Sequence, residues 1–185
     1  MKQIDFSDKH IYANIFRVAV PMLIAQTFNL LYNIVDRIFI ARIPGSGTSA
    51  LGAVGLCFPL IVIITAFTNL YGSGGAPLFA IELGRGDNSE ADSIMCTSFT
   101  MILITAAALF AAGELFAAPL LRLIGAAGGE TLRVSLLYFR IYLLGTIFQM
   151  TTVGMNPFVN AQGFPNIGMR SVVIGAVSKI GRAHV

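Results

Sequence analysis

The sequence predicts an all-α, polytopic transmembrane helix bundle, and three observations carry that prediction. Of its 185 residues, 56% are hydrophobic and only 11% are charged, with a mean hydropathy of +0.78. Soluble domains carry about 25% charged residues, so this chain lacks the polar surface that water demands. The apolar residues also come in runs long enough to cross a hydrocarbon core, which takes about 20 residues of helix. Between those runs lie short polar clusters rich in Gly and Pro, the residues that end helices and make turns.

Taken in order, residues 1–14 form a lead containing Asp5 and Asp8, ahead of a first span over 15–43. That span is too long for a signal h-region, so it is expected to be retained without cleavage. Pro21 sits one to two turns inside it and removes a backbone hydrogen bond. Ile43-Pro-Gly-Ser-Gly-Thr ends it as a turn. A second span covers 50–83, interrupted only by Gly72-Ser-Gly-Gly; it exceeds what one bilayer needs, so it either protrudes or bends at those glycines. Gly84-Arg-Gly-Asp-Asn-Ser-Glu-Ala-Asp reads as a compact polar loop. The third span, 93–121, holds Glu114 near its far end, and Gly125-Ala-Ala-Gly-Gly-Glu connects it to a fourth over 132–160. After the turn Ala161-Gln-Gly-Phe-Pro-Asn, residues 167–180 begin a fifth span that is not completed, and no internal repeat is visible.

Charge excludes some functions and orients the bundle. A formal charge of +3 without any basic run offers nucleic acid no footprint. Lys2, Lys9, Arg17, Arg85 and Arg170 flank one side of the spans, against Arg42, Arg122 and Arg133 on the other. That bias favours a multi-pass protein of the cell membrane with a cytoplasmic N-terminus. Cys57 and Cys96 read as small buried thiols, and His10 and His184 lie near the termini, so no metal-ligand spacing and no cofactor is expected. A membrane-embedded enzyme needs clustered Asp, His or Ser nucleophile motifs near a membrane face, and none occurs.

The informative charge is Asp36, inside the first span. Asn33, Asn29 and Gln26 precede it by three, seven and ten residues. On a helix those four side chains fall within about 80° of one face, while Leu23, Ile24, Phe28, Leu31, Ile34 and Ile38 occupy the others. An ionisable group on a narrow polar stripe of a membrane helix is a pathway or ion-site candidate. The bland alternative is a carboxylate snorkelling to the interface, since Asp36 lies about 10 Å from the middle of its span. Gln26, Asn29 and Asn33 either line a cavity or join helices by amide hydrogen bonds, and Gln149, Thr151 and Thr152 divide the same way. Asn156, a further cavity-lining candidate, stands beside Pro157 and also suits the support of a local kink. Arg140, mid-segment, needs a partner or an aqueous surface. Tyr12, Tyr71, Tyr138 and Tyr142 read as interface or packing residues. Gly72-Ser-Gly-Gly suits close helix packing rather than a phosphate cradle, because no Lys-Ser/Thr follows.

Several motifs resemble, in order, those of the MATE family of multidrug and toxin extrusion transporters. They are Pro21, then Tyr32-Asn-Ile-Val-Asp36, then Ile43-Pro-Gly-Ser-Gly and Ala50-Leu-Gly-Ala-Val-Gly-Leu-Cys-Phe-Pro59. Gly72-Ser-Gly-Gly, Gly84-Arg-Gly-Asp87 with Ala91, Gln162-Gly-Phe, Met169 and Ile174-Gly-Ala-Val follow. The resemblance implies a twelve-helix, two-lobe exporter of cationic amphipathic compounds, of which this chain covers the first four helices and part of a fifth. It implies that Asp36 is the cation-coupling carboxylate for H⁺ or Na⁺, Tyr32 its neighbour, and Pro21 the hinge of the first helix. No metal is implied beyond Na⁺ at Asp36, and the partners are the lipid bilayer and the drug, in a protein monomeric at full length. The family continues into Asn-x-x-Leu-Asp-Pro, whereas this sequence reads Ser178-Lys-Ile-Gly-Arg-Ala-His-Val185. Residues 179–185 are therefore expected to be non-native, similar to a reading frame of a sequencing adapter, and the chain to be part of a longer protein. The rivals are a lipid-linked oligosaccharide flippase of the same superfamily, whose cavity carries several basic residues, and an inert membrane fragment.

Overall fold

The computed structural model describes residues 11–42, 47–126 and 128–182, with side chains up to 174. Most of the 1–14 lead, the turn residues 43–46 and the end of the 179–185 tail lie outside the described residues. Five helices follow one another: α1 Ile11–Ala41, α2 Gly47–Arg85, α3 Asn88–Ile124, α4 Gly129–Ala161 and α5 Pro165–Arg182. No strand occurs among the described residues. The first four are each long and apolar enough to cross a membrane.

The helices run past the expected spans at most of their ends, for local reasons. α2 is 39 residues long, about 58 Å at 1.5 Å per residue against a hydrocarbon core of about 30 Å. It stays helical through Gly72–Gly75. α3 starts five residues earlier than the apolar pattern implies because the Asp87 carboxylate accepts the Glu90 N–H at 3.0 Å. That cap turns the polar stretch after Asp87 into a first helical turn rather than loop. Positive-φ glycines close the connections: Gly86 (φ 82), Gly125 (φ 118) and Gly163 (φ 85). At Gly125 the left-handed conformation lets the next amide, Ala126 N–H, return to the Leu121 carbonyl at 2.9 Å.

Helices α2, α3 and α4 each pack against the other two. Their shared core holds Cys57, Leu60 and Ile64 from α2, Ile102, Ala106 and Leu121 from α3, and Phe139, Leu143 and Met150 from α4. Small residues set the closest approach. A Cβ placed on Gly72 would lie 2.5 Å from the Gly154 carbonyl oxygen, and one on Gly154 would lie 2.6 Å from Ile102 Cδ1. Such contacts drive helix association where lipid tails remove the hydrophobic incentive. Two hydroxyls within the apolar core are satisfied on their own helices: Thr68 donates to the Ile64 carbonyl at 3.0 Å and Thr146 to the Tyr142 carbonyl at 3.1 Å.

Helix α1 belongs to a different layer. It lies chiefly against α5 and more lightly against α2, while α5 also touches α4. The two cysteines also part company. Cys57 is buried, its thiol 3.4 Å from the Ser135 carbonyl oxygen, whereas Cys96 is exposed, contrary to the expectation of two buried thiols. Cys96 sits about 160° around α3 from buried Ser98 and about 120° from buried Ile102, on the face turned away from α2 and α4.

Candidate functional site

The polar stripe stands on a helix that is hardly buried. Among the described residues of α1, only Asn14 and Pro21 are fully buried. Asp36 is exposed and lies in the last two turns of the helix, with Tyr32 half-buried one turn before it. Gln26 and Pro21 lie about 15 and 22 Å further down the same helix, and α1 is continuous through Pro21. Asn33 and Asn29 serve each other: Asn33 Nδ2 donates to the Asn29 carbonyl at 2.7 Å and to Asn29 Oδ1 at 3.2 Å. Their amides are thus joined along α1 rather than to a neighbouring helix.

Opposite this stripe stands a second one on α4. Tyr138, Tyr142, Gln149 and Asn156 fall within about 40° of one face. Tyr142 and Gln149 are locked together, the phenol donating to Gln149 Oε1 at 2.6 Å. Asp36 and Tyr32 lie within electrostatic range of Tyr138, and Tyr32 within range of Tyr142. Asp36 and Tyr32, towards the C-terminal end of α1, thus lie within electrostatic range of the tyrosine end of the α4 stripe. An acid beside aromatic rings is a suitable environment for an organic cation, through charge attraction and cation–π contact.

The structure brings Asp36, Tyr32 and the upper part of the α4 stripe together but separates the lower part. Asn156 lies about 27 Å along α4 from Tyr138. There its Oδ1 accepts from Asn160 Nδ2 at 3.1 Å. It also faces Gly168, where an added Cβ would lie 2.6 Å from Asn156 Oδ1. Asn156 is thus part of the α4–α5 seam, a place only a glycine on α5 allows. Arg140 has the partner that its position demands: its Nε lies 3.3 Å from Glu114 Oε2 on α3, and both side chains are half-exposed. That ion pair lies on a different side of α4 from the tyrosines, about 160° away from Tyr138.

Tyr138 and Tyr142 are the residues that reading the sequence assigned only to interface or packing. A signal was available in the spacing of Tyr142, Gln149 and Asn156, three polar groups seven residues apart on one face. Among the described residues no group of His, Cys, Asp or Glu could hold a metal ion.

Known proteins share this sequence and fold. The MatE family model matches residues 21–183. The multidrug export protein MepA of Staphylococcus haemolyticus is 26% identical over 176 residues, covering 95% of this chain and 37% of that protein. The outward-facing structure of a multidrug resistance MATE family transporter superposes with a TM-score of 0.80 at 28% identity, covering 88% of this chain and 35% of that one. A transporter of the MOP superfamily from Pyrococcus furiosus, described as having a binding pocket of reversed polarity that suggests a different function, gives the same TM-score, identity and coverage. The chain thus spans a little over a third of the length of these relatives. With its helices, their packing and its sequence all pointing one way, the chain belongs to the MATE family of multi-pass membrane transporters, which are not enzymes.

Proposed function

We propose that this chain supplies the opening helices of an antiporter that exports small cationic amphipathic drugs in exchange for H⁺ or Na⁺. The observation that carries the reading is the placement of Asp36 one turn from Tyr32 and within electrostatic range of Tyr138. A single carboxylate cannot be fully engaged by two cations at once. Proton or Na⁺ uptake at Asp36 therefore weakens its hold on a cationic drug, and drug binding weakens its hold on the coupling ion. A ligand shifts a conformational equilibrium only by its differential affinity for the two states, and the charge on Asp36 supplies that difference. Pro21 breaks the backbone hydrogen bonding of α1 below the site and serves as the hinge through which α1 responds. Gln26, Asn29, Asn33 and Gln149 add uncharged polar wall, while Asn156 acts at the α4–α5 seam.

The polarity of the wall argues against an oligosaccharide flippase. A pyrophosphate-linked substrate needs basic residues, whereas the facing stripes carry Asp36, tyrosines and amides. The protein is placed in the cell membrane, N-terminus inside and monomeric, so Asp36 lies towards the outer side.

The deciding experiment is Asp36→Asn in the full-length protein, expressed in drug-sensitive cells and assayed for ethidium efflux. Loss of efflux with undiminished membrane expression is expected; unchanged efflux and unchanged ion coupling would sink the assignment. Proteoliposomes given either a pH gradient or a Na⁺ gradient distinguish the two coupling ions.

A further inference from the structure

We infer that Ser135 and Cys57 hold one buried water molecule in the seam between α2 and α4, and that this water positions Tyr138 for its work with Asp36. Ser135 is set apart from other hydroxyls of the bundle. Thr68, Thr146 and Thr151 each donate to the carbonyl four residues back on their own helix, the usual partner of a hydroxyl on an apolar helix. Ser135 does not: its side chain is 0% exposed, and its Oγ has no hydrogen-bond partner among the described residues. A hydroxyl sealed without a partner is costly, and native folds supply one from protein or from ordered water. The seal is made by this chain's own helices, so the rest of the longer protein has no access to that oxygen.

Two neighbours complete the site. Cys57 is also 0% exposed, and its thiol donates across the seam to the carbonyl oxygen of the same Ser135 at 3.4 Å. Its sulfur keeps a weak acceptor capacity. Tyr138 follows Ser135 by about 4.5 Å along α4 and 60° around it, and Cys57 lies within electrostatic range of it. Long side chains lean towards the N-terminus of a helix, which carries the Tyr138 ring back towards Ser135. Hydroxyl, thiol and phenol are uncharged, and a buried water takes two to four such partners. A cation sealed there would bear the cost of burial with no carboxylate in the seam. The role of the water rests on the exporter reading. By donating to the phenol oxygen from behind, it leaves the phenol hydrogen to the Asp36 side and strengthens the bond made there. Of the groups around Tyr138, which are Cys57 from α2, Tyr142 from α4, and Asp36 and Tyr32 from α1, Cys57 alone is fully buried. Ser135 is thus a positioning residue, acting on the cation site through Tyr138.

A structure of the full-length protein, at a resolution that shows ordered water, tests the site directly. A water peak about 2.8 Å from Ser135 Oγ is expected, and its loss in Ser135→Ala. An Oγ with no water beside it, or one bonded only to protein, overturns the proposal. Ethidium titration by fluorescence tests the role. Ser135→Ala should bind about fivefold more weakly, the worth of one hydrogen bond. Ser135→Cys keeps a small donor at the same point and should recover most of that loss. A merely structural role would change thermal stability without separating the affinities of the two variants, and that result overturns the positioning role. So does equal affinity of Ser135→Ala and the wild type. If Ser135→Ala fails to fold, Cys57→Ala tests the same water through its other partner, and unchanged ethidium affinity there is equally fatal. The water peak needs no transport. Unchanged efflux in Asp36→Asn would therefore remove the exporter reading while leaving the site on Ser135 to stand or fall by itself.

Discussion

Two regions of this molecule are built on opposite principles. In the α2–α3–α4 block, buried residues recur every three or four positions, as in Ala53, Cys57, Leu60, Ile64, Thr68, Gly72, Ala76 and Phe79 along α2. Each helix there has a stripe that meets two neighbours, and glycines allow contact at backbone distance. Helix α1 has almost no such stripe: Leu23, Leu30, Leu31 and Ile34 are all exposed, and so are Gln26, Asn29, Asn33 and Asp36. Within this chain the block is closely packed, whereas α1 leaves most of its surface to whatever lies beside it in the longer protein. The carboxylate stands on the less packed element and the α4 tyrosines on the packed one.

The largest expected effects come from crossing that boundary. Gly72→Leu places a branched side chain where the Gly154 backbone already lies, and overpacking of this kind should cost about 3 kcal/mol. The same chemistry reversed on α1, Leu30→Ala, should change stability by less than about 0.5 kcal/mol, because Leu30 is exposed. Thermal unfolding in detergent compares the two, and similar losses would erase the distinction between block and α1. Asp36→Asn should do the converse. Its side chain supports no packing, so stability should hold while coupled efflux falls on the order of tenfold or more. A variant that unfolds instead would place Asp36 in the scaffold.

That division also explains what the sequence could reveal. The membrane bundle was readable because hydropathy is summed over whole helices, and the α1 stripe because Gln26, Asn29, Asn33 and Asp36 are spaced by one helix's own geometry. The start of α3 was not, because Asp87 acts through a cap that extends helix into a polar stretch. Cys96 and Cys57 look alike in the chain and differ only in which side of their helix meets a neighbour. Tyr138 and Tyr142 come within electrostatic range of α1 only through the packing of separate helices, a relation that no local spacing encodes. The partner of Arg140 was hidden for the same reason. Glu114 is 26 positions away in the chain, and only the α3–α4 register brings them to 3.3 Å.

A smaller effect tests the wall itself. Tyr142→Phe keeps the ring and removes the phenol that donates to Gln149 at 2.6 Å. The lost hydrogen bond is worth about 1 kcal/mol, so drug affinity should weaken about fivefold without loss of ion coupling. Fluorescence titration with ethidium reads the affinity. A variant that loses coupling as well would move Tyr142 from the wall into the cation site.

The smallest effect belongs to the Glu114–Arg140 pair, and it asks what makes the block rigid. Both side chains are half-exposed, at 34% and 58%, so their attraction competes with solvation and side-chain entropy. Pairs of this kind contribute about 0.2 to 1 kcal/mol. A double-mutant cycle with Glu114→Gln and Arg140→Gln, followed by thermal unfolding, should therefore return a coupling energy well below the cost of Gly72→Leu. The charge-reversed pair, Glu114→Arg with Arg140→Glu, should recover most of what either reversal loses alone. A coupling energy above about 2 kcal/mol would mean that the pair is shielded from solvent in the membrane. The α3–α4 contact would then owe its fixed register to charge rather than to the fit of small residues, and the block would be as open to ionic control as the helix it faces.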